Sequence, residues 1–158
     1  MYTSYGLLVR VNAVELAEIM KSGKEARKDF VVVDVRDDDF TGGNIKGAIN
    51  EPSSEFLMNV DGLVKQTKDV PLVIFHCALS QVRGPKAARV CHPSFVEECQ
   101  LKYQQTYAET RKNILEGQDI NHEVAILRDG FSQFQVKFKD DPQLVENWDK
   151  DMWASEWS

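Results

Sequence analysis

Long apolar runs are missing from this sequence. None approaches the roughly 20 residues that a membrane-spanning helix needs. The opening stretch, MYTSYGLLVR, has no basic start leading into an apolar segment, so no signal peptide is read there. Cysteine is scarce: Cys77, Cys91 and Cys99 cannot complete a disulfide framework, and a reducing setting, cytoplasmic, nuclear or both, is the default expectation. Basic excess is absent too. Nineteen Lys and Arg against 25 Asp and Glu leave a formal charge of −6, which argues against nucleic acid as the main partner, because phosphate binding needs a basic face. No Cys/His spacing suits a zinc site, and His92 and His122 stand isolated. Neither nucleic acid nor a membrane is expected as a partner, and no metal or cofactor. With no repeat, low-complexity linker or boundary in 158 residues, the chain reads as one domain, with a core over about 8–138 and a helical tail over 142–158.

What is present alternates between strand and helix. Leu7–Val9 reads as a short edge strand. NAVELAEIMKSG reads as a helix, with Asn12 as N-cap, Glu15 in capping-box spacing, Gly23 as the stop and Leu16, Ile19 and Met20 on its buried stripe. Phe30–Val35 and Pro71–His76 are apolar, β-branched runs of the kind buried on both faces, and HEVAILR (His122–Arg128) is a third. GAIN suggests a weak strand, and PSSEFLMNVDGLVKQT a helix with Ser53 or Ser54 near its start. GPKAARV begins another helix, Pro93 interrupts it, and SFVE (Ser94–Glu97) has capping-box spacing for the next, whose Phe95, Cys99, Tyr103 and Tyr107 fall on one face. DGFSQFQVKF and QLVENWDKDMWASEW read as closing helices, the latter packing Trp148, Trp153 and Trp157 on the core or offering them to a partner. This alternation predicts an α/β fold with a central parallel sheet and helices on both faces.

The segment HCALSQVRGP (His76–Pro85) concentrates the chemistry. A lone cysteine is usually a small core hydrophobe. Here it follows a buried strand directly, where open α/β sheets bind their ligands. Five residues, Ala78, Leu79, Ser80, Gln81 and Val82, separate it from Arg83, and a helix start follows. Such a loop can turn its backbone N–H groups inward as an anion nest, aided by the helix N-terminus and the forked guanidinium of Arg83. An electropositive cup of this kind lowers a thiol pKa from about 8.5 to roughly 3.5–7.5, which makes Cys77 a thiolate and a nucleophile toward a bound phosphoryl group. Ser80 could donate to the sulfur or help its release. His76 could tune the thiolate or orient the loop by hydrogen bonding.

These residues resemble the His-Cys-x5-Arg-Gly-Pro loop of the M-phase inducer phosphatases and of the eukaryotic arsenate reductases. VVVDVRDDDFTGGNIKGAIN (Val31–Asn50) is similar to the rhodanese-fold block Asp-x-Arg, acidic-aromatic, Gly-Gly-His-Ile-x-Gly-Ala, and ILRDGFSQF (Ile126–Phe134) to that fold's strand followed by Gly-Gly-Phe. The resemblance implies a rhodanese-like domain and a cysteine-dependent protein phosphatase of the tyrosine or dual-specificity type. By position it makes Cys77 the nucleophile and Arg83 the oxyanion clamp. The N–H groups of Ala78, Leu79, Ser80, Gln81, Val82 and Arg83 form the cradle. Asp34 and Arg36 brace the loop from the neighbouring strand. The substrate would be a phosphoprotein or a small oxyanion.

Departures from the pattern carry information. Gly-Gly-His is Gly-Gly-Asn here, with Asn44 read as a turn residue. The upstream block is one residue shorter than in the cell-cycle enzymes, as in the small fungal phosphatases and the arsenate reductases. The second cysteine of the large cell-cycle phosphatases is Val35. On an unbroken helix Cys91 would lie roughly 10–12 Å from the loop, beyond disulfide reach, so an oxidised Cys77 would need an external thiol. No glutamate lies inside the loop. An acid from Asp37–Asp39, the substrate's own proton and water stay open as proton donors. Arsenate reduction is the first alternative, with Cys77 attacking arsenic and an external thiol such as glutathione, with glutaredoxin, completing the reaction. Sulfur transfer on this scaffold usually goes with a loop one residue shorter, and a non-catalytic phospho-binding module is the remaining reading.

Overall fold

The computed structural model describes residues 9–36, 42–76, 93–115, 123–128 and 130–151. Strand β1 (Val9–Val11) leads into helix α1 (Ala13–Lys21). The reciprocal box at its start is formed: the Glu15 N–H donates to Asn12 Oδ1 at 2.8 Å and the Asn12 N–H to Glu15 Oε1 at 3.0 Å. Gly23, at φ +88°, follows the C-cap Ser22. Among the described residues this strand runs to Val11, itself buried and paired with β6, two positions beyond the expected end at Val9.

Next come β2 (Val31–Asp34), β3 (Asn44–Ile45), β4 (Ile49–Asn50), a 3-10 turn (Ser53–Glu55) and α2 (Phe56–Thr67). The chain continues with β5 (Leu72–His76), α3 (Pro93–Leu115), β6 (Glu123–Leu127), α4 (Gly130–Phe138) and β7 (Val145–Glu146). Strands β1-β6-β5-β2-β4 form one sheet, in that order and all parallel. Parallel strands need cover on both faces, and two separate cores supply it. On one face Val32, Ile74, Ala125 and Leu127 meet Leu16 and Ala17 of α1 and Phe131 and Phe134 of α4. On the other, Val31, Val33, Val73 and Phe75 meet Phe56, Val60, Leu63 and Val64 of α2 and Tyr107 of α3. Each large side chain fully buried in these layers is worth roughly 1.5–3 kcal/mol. That explains why the uninterrupted apolar runs, and not alternating ones, became the central strands.

Three expectations are corrected. Helix α3 begins at Pro93, one residue before the expected capping box. Proline's fixed φ suits a first helical position, so Ser94 lies inside the helix. The stretch QLVENW is not helical: Val145–Glu146 forms β7, antiparallel to β3, in a second two-stranded sheet. Leu144 and Val145 are buried, so this segment of the expected helical tail follows the core as a strand. Trp148 packs on the core beside it and donates Nε1–H to Gln135 Oε1 at 3.0 Å. Asn44 is no turn residue. It is buried on β3, where its amide donates to Glu146 Oε1 and the Ile45 carbonyl, each at 2.9 Å, and its Oδ1 accepts from Asn147 at 3.3 Å.

Candidate active site

Asp34 and His76 end adjacent parallel strands and are partners in register. The Val35 N–H donates to the His76 carbonyl at 3.0 Å, so the strands stay joined to the last residue before Cys77. Alternation along β2 sends Val33 and Val35 to the α2–α3 face and Asp34 and Arg36 to the α1–α4 face. There a carboxylate and a guanidinium meet with no exposed side-chain surface on either. Arg36 Nη2 donates to Asp34 Oδ2 at 2.6 Å, Nε to Oδ2 at 2.9 Å, and both Nε and the backbone N–H to Oδ1 at 3.0 Å. Nη2 also donates to the Gly43 carbonyl at 2.8 Å, and the guanidinium carbon lies 4.7 Å from the centre of the Phe131 ring. From β4, Asn50 Nδ2 donates to the carbonyls of Asp34 and Arg36, both at 3.1 Å. Planar, forked and always charged, arginine is the side chain suited to such a buried pair.

His76 is wholly buried beside this pair, its Nε2 3.7 Å from Asp34 Oδ2. That separation is too long for a hydrogen bond, and it is an ion pair only if the ring is charged. Burial pushes the imidazole down to about 4, against a smaller upward pull from Asp34, with Arg36 adding to the depression. Burial therefore keeps the ring neutral near pH 7. Among the described residues, Arg36 Nη1 and both ring nitrogens of His76 have no hydrogen-bond partner. A buried polar atom left so costs about 1–3 kcal/mol. Three of them at the carboxyl edge of the two central strands mark a cluster that the described residues leave incomplete.

The structure brings Asp34, Arg36 and His76 side by side and finds no hydrogen bond for the His76 ring among the described residues. Cys77, Ala78, Leu79, Ser80, Gln81, Val82 and Arg83 lie outside the described residues, as do Asp37–Asp39, Cys91, His92 and His122. Sequence reasoning missed two contributors: Gly43, through its carbonyl, and Phe131, the ring over Arg36. The Gly-Gly-Asn and Asp-Gly-Phe signatures mark both positions, but neither says what it touches. No group of His, Cys, Asp and Glu among the described residues could hold a metal ion.

Residues 12–137 match the model of the rhodanese-like domain. The dual specificity phosphatase ibp1 of Schizosaccharomyces pombe is 31% identical over 122 residues, which cover 77% of this chain and 86% of that protein. Arsenate reductase 2.2 of rice, Oryza sativa subsp. japonica, is 35% identical over 81 residues, 51% of this chain and 61% of that one. Among solved structures, a yeast protein tyrosine phosphatase of the rhodanese family, Ygr203w, superposes with a TM-score of 0.66 at 26% identity, covering 95% of this chain and 99% of its own. The As-Sb reductase of Leishmania major gives 0.59 at 25% identity, over 85% of this chain and 81% of that one. With the five-stranded parallel sheet, the doubly covered core and the buried Asp34–Arg36 pair in place, this chain belongs to the rhodanese-like domain family.

Proposed function

We propose that this protein is a cysteine-dependent protein phosphatase of the tyrosine or dual-specificity type. The observation that carries the reading is positional. The His-Cys-x5-Arg-Gly-Pro segment begins on the last residue of β5, at the carboxyl edge of the sheet, where Arg36 Nη1 of the buried Asp34–Arg36 pair has no partner among the described residues. Cys77 attacks phosphorus as a thiolate. The P–O bond to the leaving group breaks, and a phosphocysteine forms. Water then attacks phosphorus and the thiolate departs. Arg83 and the N–H groups of residues 78–83 hold the equatorial oxygens through the transition state. Arg36 and His76 act as positioning residues for the segment that follows β5, with nitrogens that have no partner among the described residues. The fungal phosphatase relatives support this reading.

Arsenate reduction is the second reading, supported by the rice and Leishmania relatives. Arsenate is nearly isosteric with phosphate, so the same cup would take it, with an external thiol such as glutathione, and glutaredoxin, completing the turnover. A matched comparison tests both. Hydrolysis of p-nitrophenyl phosphate should be abolished by Cys77→Ser. Arsenate-dependent consumption of glutathione without ester hydrolysis would replace the phosphatase by the reductase. Oxyanion binding with neither activity would leave a binding module.

A further inference from the structure

We propose that residues 144–149 form a strap that sets the position of the Arg36 guanidinium, with Trp148 as its latch. The inference goes beyond the phosphatase reading and does not depend on it. Arg36 Nη2 takes two acceptors, Asp34 Oδ2 on its own strand and the Gly43 carbonyl. The first is fixed by β2 itself. The second lies beside β3, which among the described residues joins no strand of the five-stranded sheet and pairs with β7. The place of that carbonyl is therefore decided by the C-terminal segment. The strap grips the chain on both sides of Gly43. The Asp149 N–H donates to the Gly42 carbonyl at 3.2 Å, and the Lys46 N–H to the Leu144 carbonyl at 2.9 Å. Between these, the Asn44 side chain donates to Glu146 at 2.9 Å and accepts from Asn147 at 3.3 Å. Asn147 has φ +60°, a left-handed turn that asparagine adopts more readily than most residues. The next residue, Trp148, has its main chain against Gly43.

Two short paired strands are marginal by themselves, so the strap needs anchors. Leu144 and Val145 supply one in the core. Trp148 supplies the other. Its Nε1–H donates to Gln135 Oε1 at 3.0 Å, and Lys139 Nζ lies 4.8 Å from its ring centre. Gln135 and Phe131 stand four positions apart on α4, one turn from each other on the same face. Phe131 is also the ring that the Arg36 guanidinium rests on. Arg36, Gly43, Trp148 and α4 thus form a closed circuit. The guanidinium is held by a carbonyl acceptor that the strap places and by an aromatic ring on the helix that the strap is latched to. Freeing Trp148 from Gln135 opens this circuit without removing any atom of the Asp34–Arg36 pair.

The test is hydrogen exchange in the full-length protein, read by NMR at the Arg36 Nε–H and at the Ile74 amide. Ile74, paired with Val32 and Ala125 in the middle of the sheet, reports global unfolding. The ratio of the two rates reports loosening confined to Arg36. Trp148→Phe removes the indole N–H and keeps a ring on the core. It should raise the Arg36 rate relative to that of Ile74 about 5-fold, the factor that one lost hydrogen bond commands. Trp148→Ala should raise it further. Tyr107→Phe, on the opposite face, should lower stability and leave the ratio where it is in the wild type. An unchanged ratio in Trp148→Phe, or an equal rise in Tyr107→Phe, would overturn the strap and reduce residues 144–149 to packing alone.

Discussion

Two buried polar clusters serve this fold differently. On the α2–α3 face, the Tyr107 hydroxyl meets Thr67 Oγ1 at 2.5 Å. Thr67 Oγ1 donates to the Leu63 carbonyl at 2.8 Å, and Arg111 reaches the Tyr107 oxygen at 3.4 Å and the Lys68 carbonyl at 2.7 Å. Each of its side chains has a partner, and the cluster closes the C-terminal turn of α2 against α3. On the other face, at the carboxyl edge of the sheet, Asp34, Arg36 and His76 are as deeply buried, yet three nitrogens lack a described partner. A satisfied network is complete in itself and holds two helices together. An unsatisfied one, kept in the interior despite its cost, points to a further partner, and here the chain continues from it into the cysteine loop.

The contrast can be broken from either side. Asp34→Ala should do the most damage, leaving the Arg36 charge buried and uncompensated at a cost of about 3–5 kcal/mol. A urea titration should show the midpoint collapse together with phosphatase activity. The His76 cluster has a milder signature. Its imidazole is depressed from 6.5 to about 4 in the folded protein. The unfolded chain therefore binds the extra proton between those values, and stability is lost as pH falls through that window. Between pH 7 and 5 the loss should be on the order of 2 kcal/mol, and His76→Gln should remove that slope. A slope unchanged in the variant would mean that the imidazole binds its proton equally well in the folded and unfolded chain. The smallest effect sharpens the comparison: Tyr107→Phe should cost about 1 kcal/mol with kcat untouched, since that network has no role at the sheet's carboxyl edge.

The central strands were legible because β-branched runs without alternation have few ways to be buried. Helix α1 was legible because Asn12 and Glu15 satisfy each other locally. Strands β3 and β7 were not. Two residues carry no periodicity, and Asn44 pairs with Glu146 about a hundred positions away. An acidic, tryptophan-bearing stretch around β7 looks like a helix until its buried Leu144 and Val145 are placed. Asp34 and Arg36 could be singled out through the family resemblance, whereas the neutral ring of His76, without a hydrogen-bond partner among the described residues, depends on depth that no local pattern encodes.

Gly43 sits at φ +118°, and a methyl group built on it would come within 2.9 Å of the Trp148 Cα. Its carbonyl is the one that Arg36 holds. The second glycine of the pair is thus required twice over, by its own backbone angle and by another piece of main chain crossing above it. In a chain of this fold where nothing crosses there, the steric half of that demand lapses, and the backbone angle alone still asks for glycine, because it strains any side chain whatever the space.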